Sequence, residues 1–295
     1  MKLNRLARVA IATAATAGLA FGLLSPANAA AKTTVQIVQS NALTGLNPSV
    51  SNMNLTFNTD VAYLSGIGFT YYNNKATLVD NTVFGTYKIV SKKPFKIQYT
   101  VNKGRVWSDG TPINGIDLLL SHVTSAGTYS QIAGLGDPSD ADVSPAFDSL
   151  GYGGLYEENV VGLPILSADK MSVTIEYDAQ VPDWRLLSPG PNAVHAMVLM
   201  AEGKKKLGTV AENIAAKERF LKAFDTYNTA TLKKIGKIWS KDYSIGAVNA
   251  DTNPLLLVGN GPFMVKSAVA NGAVTMVRNP KYNSGPKVKS LERVV

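Results

Sequence analysis

Four groups of residues in this sequence have types and spacings that chemistry could use. Ser167-Ala168-Asp169-Lys170 fits Ser-x-x-Lys, in which a lysine amine can take the proton of a serine nucleophile. His122 and His195, the two histidines of the chain, are the ordinary side chains for proton transfer near neutral pH. Asp137, Asp140, Asp142 and Asp148 gather carboxylates as an oxygen-liganded cation would require. The stretch "GRVWSDGTPINGID", residues 104–117, puts a Trp, an Asp-Gly turn pair, a Pro and two carboxylates into fourteen positions.

Spacing argues against chemistry in each case. Ser167 and Lys170 are expected at a turn between two strands, and the further motifs of serine acylases are missing. A secreted serine hydrolase would need Ser167 in a pocket instead. The histidines are 73 residues apart, form no metal-binding pair, and fall on apolar helical faces where packing is the commoner role. The aspartates have no Gly at the turn position and no closing Glu, and Pro138 and Pro145 fit a cation loop badly, which leaves a solvated acidic loop. Nucleophile elbows, phosphate loops and dinucleotide fingerprints are absent from the sequence. No catalytic residue, metal or cofactor is expected, and the chain reads as a non-enzyme.

The 104–117 stretch reads as scaffold. Asp109-Gly110 makes a turn, Pro112 sets an extended approach, and Asn114 caps a helix that Asp117 supports from three residues on. Trp107 covers the junction.

The elements that must position these residues follow from periodicity. Strands are expected at 33–39, 83–90, 95–101, 160–165, 171–177, 262–267 and 273–278. Helices are expected at 57–70, at 116–123, within 185–200, and across 209–240 with a break at Asn228-Thr229. In that last segment Ile214, Leu221, Phe224, Leu232, Ile235 and Trp239 repeat at helical spacing. Residues 126–159 read as a long irregular region. Strands and helices mix without regular alternation, so the fold class is α/β with mixed α+β sheets.

Residues 1–29 have the pattern of a signal peptide: Lys2, Arg5 and Arg8, then an apolar run, then Ala27-Asn28-Ala29 before the cleavage point. Without Lys2, Arg5 and Arg8 the chain has 26 basic and 21 acidic residues, a net charge of +5. That excess is too small for a nucleic-acid footprint, and Lys204-Lys205-Lys206 has no interleaved aromatics. The chain has no Cys, which excludes disulfides, thiol catalysis and a thiol-linked lipid anchor. The expected location is periplasmic or extracellular, soluble after cleavage.

The segment "YTVNKGRVWSDGTPINGIDLLLSH" resembles the signature of the family 5 extracellular solute-binding proteins, the oligopeptide- and dipeptide-type receptors of ABC importers. It departs at Gly115, where the family usually has Ala. Leu46-Asn47-Pro48, "LSADKMSVTIEYDAQVPDW" at 166–184, "GNGPFMV" at 259–265 and "MVRNPKYNSG" at 276–285 resemble further family segments in the same order. The resemblance implies a type II periplasmic-binding fold, represented here by its N-terminal lobe over 30–295, with an inserted subdomain over roughly 65–180 and the second lobe absent. It implies capture of a peptide or other small solute between lobes and delivery, as a monomer, to ABC permease membrane subunits. The ligand residues it implies are Ser51, Asn52, Met53 and Asn54 in the loop after Leu46-Asn47-Pro48, with Asn260 near the hinge. A truncated remnant that binds nothing is the alternative.

Overall fold

Alternation along Phe95–Val101 buries Phe95, Ile97, Tyr99 and Val101 and makes this strand the centre of the main sheet. The computed structural model describes residues 33–288 and 290–295. Its strands are β1 (Thr34–Val35), β2 (Thr70–Tyr72), β3 (Leu78–Asp80), β4 (Gly85–Lys92), β5 (Phe95–Val101), β6 (Val160–Leu166), β7 (Ser172–Tyr177), β8 (Phe263–Ala268), β9 (Val274–Arg278) and β10 (Arg293–Val294). Its helices are α1 (Thr56–Ser65), α2 (Ile116–Val123), α3 (Gly127–Ile132), α4 (Leu155–Asn159), α5 (Val194–Ala201), α6 (Val210–Asp225) and α7 (Thr229–Lys237). The expected signal peptide lies outside the described residues.

The main sheet runs β4-β5-β7-β6 and is antiparallel throughout. Ile97 stands between Ile89 and Ile175, and Tyr99 between Tyr87 and Val173, so cross-strand pairs on one face set the register. Helices α2 and α5 are buried almost all round, as uniformly apolar helices must be, and share the core cluster that this sheet and α6 build. A second sheet, β1-β10-β9-β8, has its own apolar cluster with α1, in which Val61 joins Phe263, Val265 and Met276. The hairpin β2-β3 stands apart from both sheets. The architecture is mixed α/β, as composition and pattern imply.

Several boundaries differ from expectation for local reasons. Strand β1 covers only Thr34–Val35 because its parallel partner β10 is two residues long. Helix α1 stops at Ser65, where Gly66 turns extended, and a strand, β2, follows at Thr70. The region expected to be irregular contains α3 and α4. Ile214, one of the residues that mark the helical period, is exposed. The buried stripe of α6 runs instead through Asn213, Ala216, Lys217, Phe220 and Phe224. A capping box between Thr209 and Glu212 fixes where that helix starts.

Candidate functional site

The 104–117 loop is built by its own short-range bonds and then tied to α6. Val106 and Pro112 form an antiparallel bridge, Trp107 N–H donates to Thr111 C=O, and Gly110 closes the turn with φ of 91°. Asp109 Oδ1 accepts from Thr111 N–H at 2.9 Å. Its other oxygen lies 2.9 Å from His195 Nε2 on α5 and accepts from Asn213 Nδ2 on α6 at 3.1 Å. Asn213 also donates to Thr111 Oγ1 at 2.7 Å. Burial works to raise the Asp109 carboxyl, but the hydrogen bond and charge of His195 and the bonds from Thr111 hold it below the usual carboxylate range.

The second carboxylate of the loop is buried as well. Asp117 Oδ2 accepts from Asn114 N–H at 2.9 Å, and Asn114 Oδ1 accepts from Ile116 N–H at 3.2 Å, so the expected capping arrangement opens α2. Lys217 of α6 reaches the same Asp117 oxygen at 2.6 Å and also donates to Pro112 C=O at 2.8 Å. At Gly115 an added Cβ would lie 2.8 Å from the Leu166 side chain and 3.0 Å from Lys170 C=O. The departure from Ala there lets the loop pack tightly onto the β6-β7 hairpin.

The other segments of the resemblance meet this loop. Ser108 N–H donates to Gly259 C=O at 2.8 Å, and Gly259 N–H donates back to Ser108 Oγ at 3.2 Å. Asn260 is buried, with its amide bonded to both Ile67 N–H (3.1 Å) and Ile67 C=O (2.8 Å). Asn279 donates its amide to Gly261 C=O and its N–H to Pro262 C=O. Gly261 N–H donates to Ser65 C=O, and a Cβ on Gly261 would come within 2.4 Å of the Ser65 carbonyl carbon and 2.5 Å of Gly66 N. Backbone cannot yield there as a side chain could. Gly261→Ala is therefore expected to cost about 1–3 kcal/mol or more. Urea unfolding of the variant checks this, and an unchanged midpoint would show that the close approach is not structural.

These contacts frame a cleft of about 250 Å³. Residues 46–49, Trp107, residues 191–193 and residues 256–260 line it, with Trp239 and Tyr243 on one wall. Burial pushes the Tyr243 hydroxyl up, so it is neutral at any ordinary pH. Asn47 ties the Leu46-Asn47-Pro48 segment to that wall, donating to Trp239 C=O at 3.1 Å. Of the residues expected to contact ligand, only Asn260 borders this cleft, and its amide is already committed to Ile67. Ser51, Asn52 and Met53 form a 3₁₀ turn that follows the 46–49 segment in the chain, and Asn52 lines a different cleft, with Asp148 and Lys241. Ser51 Oγ is held by Asp148 at 2.7 Å, Asn52 and Asn54 are exposed, and Met53 is fully buried. Sequence reasoning missed Asn213 and Lys217, which hold the signature loop, and expected His195 to be packed without its bond to Asp109. The capping box at Thr209-Glu212 was the available signal, because it fixes the helical phase and sets 213, 216, 217 and 220 on one face.

No family model matches the chain. Its structure is similar to the periplasmic EDTA-binding protein EppA, with a TM-score of 0.57 at 19% identity over 88% of this chain and 38% of that one. It is similar to an oligopeptide-binding protein of Thermus thermophilus solved with a pentapeptide, with a TM-score of 0.51 at 16% identity over 89% of this chain and 40% of that one. OppA of Haemophilus influenzae, in complex with RPPGFSPFR, gives 0.52 at 14% identity over 90% and 41%. The fold is that of the family 5 solute-binding proteins. The chain spans about 40% of the length of these solute-binding proteins. Among curated proteins it is 23% identical to an uncharacterized lipoprotein of Mycobacterium leprae over 218 residues, and 20% identical to one of Mycobacterium tuberculosis over 217 residues. It spans about a third of the length of each.

Those relatives correct one expectation. A soluble protein free of any lipid anchor was the reading from the missing cysteine, yet the relatives are lipoproteins by name. A thiol count on this chain describes one attachment chemistry and does not decide how proteins of this kind are held. Among the described residues, no helix is long and apolar enough to cross a membrane.

The remaining chemical candidates have other partners. Ser167 Oγ donates to Asp169 at 2.6 Å and accepts from Ser172 N–H, while Lys170 pairs with Glu218 at 2.7 Å. The serine and lysine are thus each engaged elsewhere at a hairpin turn. Asp137 and Asp140 accept from residues two positions on, and Asp148 accepts from Ser51. Among the described residues no group of three or more His, Asp or Glu converges as metal ligands would. His122 is buried against Tyr156, 2.8 Å from its hydroxyl.

Proposed function

We propose that this chain forms the N-terminal lobe of an exported substrate-binding component of an ABC importer. It takes a peptide or similar small solute over the cleft between residues 46–49, Trp107 and residues 256–260, and a membrane permease receives the solute from it. The observation that carries this reading is the convergence of three segments, far apart in sequence, on one cleft, with the exposed Ser51, Asn52 and Asn54 following directly in the chain. An extended peptide can add its backbone to such a rim as a strand does. Ser51, Asn52 and Asn54 are the side chains offered there, with Met53 as the buried foot of the turn and Asn260 as the brace of the floor. Peptides bound in related structures support a peptide ligand; an EDTA-binding neighbour supports a wider solute range.

Capture in this reading is a population shift, in which solute stabilises a closed state through contacts with both lobes. One lobe supplies only part of that energy, so binding by this chain is weak, with Kd in roughly the millimolar range. The test is a thermal-shift titration of the chain with di- to pentapeptides. A saturable rise in Tm, reduced by Asn52→Ala with Asn54→Ala, is the expected result. No rise with any peptide at several millimolar would remove the peptide reading.

A further inference from the structure

We propose that a second cleft, between residues 134–153 and the end of α7, binds a small solute carrying two or more carboxylate or phosphate groups. Lys233, Lys237 and Lys241 are its ligands. Its lining shares no residue with that of the 46–49/256–260 cleft, although Asn52 of the 51–54 turn belongs to it, and it is the larger, at about 1220 Å³, ample for a small molecule.

Among the lining side chains three cations face two anions, with Asp137, Asp140 and Asp142 elsewhere on the same 134–153 segment. Its two carboxylates are Asp148 and Glu157. Asp148 accepts from Ser51 Oγ at 2.7 and 2.9 Å. Glu157 accepts from Gly127 N–H at 2.8 Å and Gly153 N–H at 2.7 Å. Both are therefore occupied in holding loops. The lysines are not: all three are exposed, and none has an ion pair or side-chain hydrogen bond among the described residues. Lys233 and Lys237 are one turn apart on α7, about 6 Å along the axis, where like charges repel. Lys241 follows a turn later. An anion with several oxyanion groups would bridge these ammonium groups and relieve that repulsion.

The wall carrying the lysines is fixed in place. Residues Ile238–Asp242 form a π-helical turn, a local irregularity that often accompanies functional sites. Within it Ser240 Oγ accepts from Asp148 N–H at 2.8 Å, and Trp239 Nε1 donates to Asp148 C=O at 3.0 Å. Gly236 lets α7 press on the facing loop, since a Cβ there would meet Ala146 C=O at 2.4 Å. Wall and loop are thus joined before any solute arrives, which keeps the ordering cost of binding low.

Isothermal titration of the chain with tripolyphosphate and with tricarballylate tests this, with inorganic phosphate and acetate as simpler controls. Saturable binding of either polyanion is expected, at least about ten-fold tighter than its control and weakened by salt. The two polyanions separate a phosphate from a carboxylate preference. The triple variant Lys233→Gln, Lys237→Gln, Lys241→Gln should lose at least about ten-fold in affinity, and Lys204→Gln, Lys205→Gln, Lys206→Gln should keep it. Absence of saturable binding, or equal loss in both triple variants, would overturn the site.

Discussion

Replacing Lys217 with Met will destabilise the chain by about 3–5 kcal/mol, because it strands the Asp117 carboxylate in the core without its cation. The two side chains are 3% and 0% exposed and sit 2.6 Å apart, so water cannot replace the lost partner. The same substitution removes the bond from Lys217 to Pro112 C=O, which holds the signature loop against α6. Pairing it with Asp117→Leu should recover much of the loss, since a buried pair replaced by apolar groups is often close to neutral. The residual deficit should be about 1 kcal/mol, from the cap that Asp117 provides at Asn114. Urea midpoints for the two single variants and the double variant give the coupling, provided the slope of the transition is unchanged. A cost below about 1 kcal/mol for Lys217→Met would mean that Asp117 finds other partners and that the ion pair does not fix the loop.

This pair marks where the sequence was readable and where it was not. Strand β5 was legible because its apolar residues alternate without interruption, and α2 because Asn114 and Asp117 announce its start. Helix α6 was legible as a helix but not in its phase. Hydrophobicity pointed to Ile214, while the buried stripe carries Asn213 and Lys217. Those polar residues are inside because the 104–117 loop brings in Asp109, Thr111 and Asp117 to satisfy them, and that loop lies about a hundred positions earlier. Pattern reading over a short window has no access to such a partner. The short strands β2, β3 and β10 were lost for the opposite reason: each depends on pairing and has too few residues to show a period.

The candidate site divides in the same way. The residues that make the chain recognisable are mostly used up in holding it together. Asp109, Asp117, Asn260, Asn279 and Ser108 each bond to backbone groups or buried side chains, and the one unpartnered oxygen of Asp117 is itself buried away from solvent. Such residues position a cleft and say nothing about its contents. The groups left free to meet a solute, such as Asn52, Asn54 and the lysines of α7, belong to surface segments with no pattern of their own. A fold could therefore be inferred from motifs while the ligand could not.

Acid will weaken the fold well above the range in which carboxylates titrate, and His122 will be the cause. Burial pushes its imidazole down to about 3, from an ordinary value of 6.5. It packs edge-on against Tyr129 and Phe224 and meets Tyr156 at 2.8 Å, so a charged form would have no water and no anion. Above pH 6.5 neither folded nor unfolded His122 carries a proton, and below about 3 both do. Between those limits the unfolded chain binds a proton that the folded chain refuses. Unfolding then takes up a proton, and stability falls as pH falls, by up to about 1.4 kcal/mol per pH unit. Asp109 and Asp80 are held below the usual carboxylate range, so their contributions fade only below about pH 4. Asp225, raised by burial, pulls the other way just above that range. The interval from pH 6.5 to about 4.5 therefore separates His122 from these carboxylates. Over it the wild-type chain should lose about 2 kcal/mol in urea unfolding, and His122→Gln, which keeps a hydrogen-bonding group but cannot titrate, should flatten that loss. Equal slopes in the two proteins would mean that His122 accepts its proton in the folded state, and the closed aromatic pocket around it would then have to open in acid.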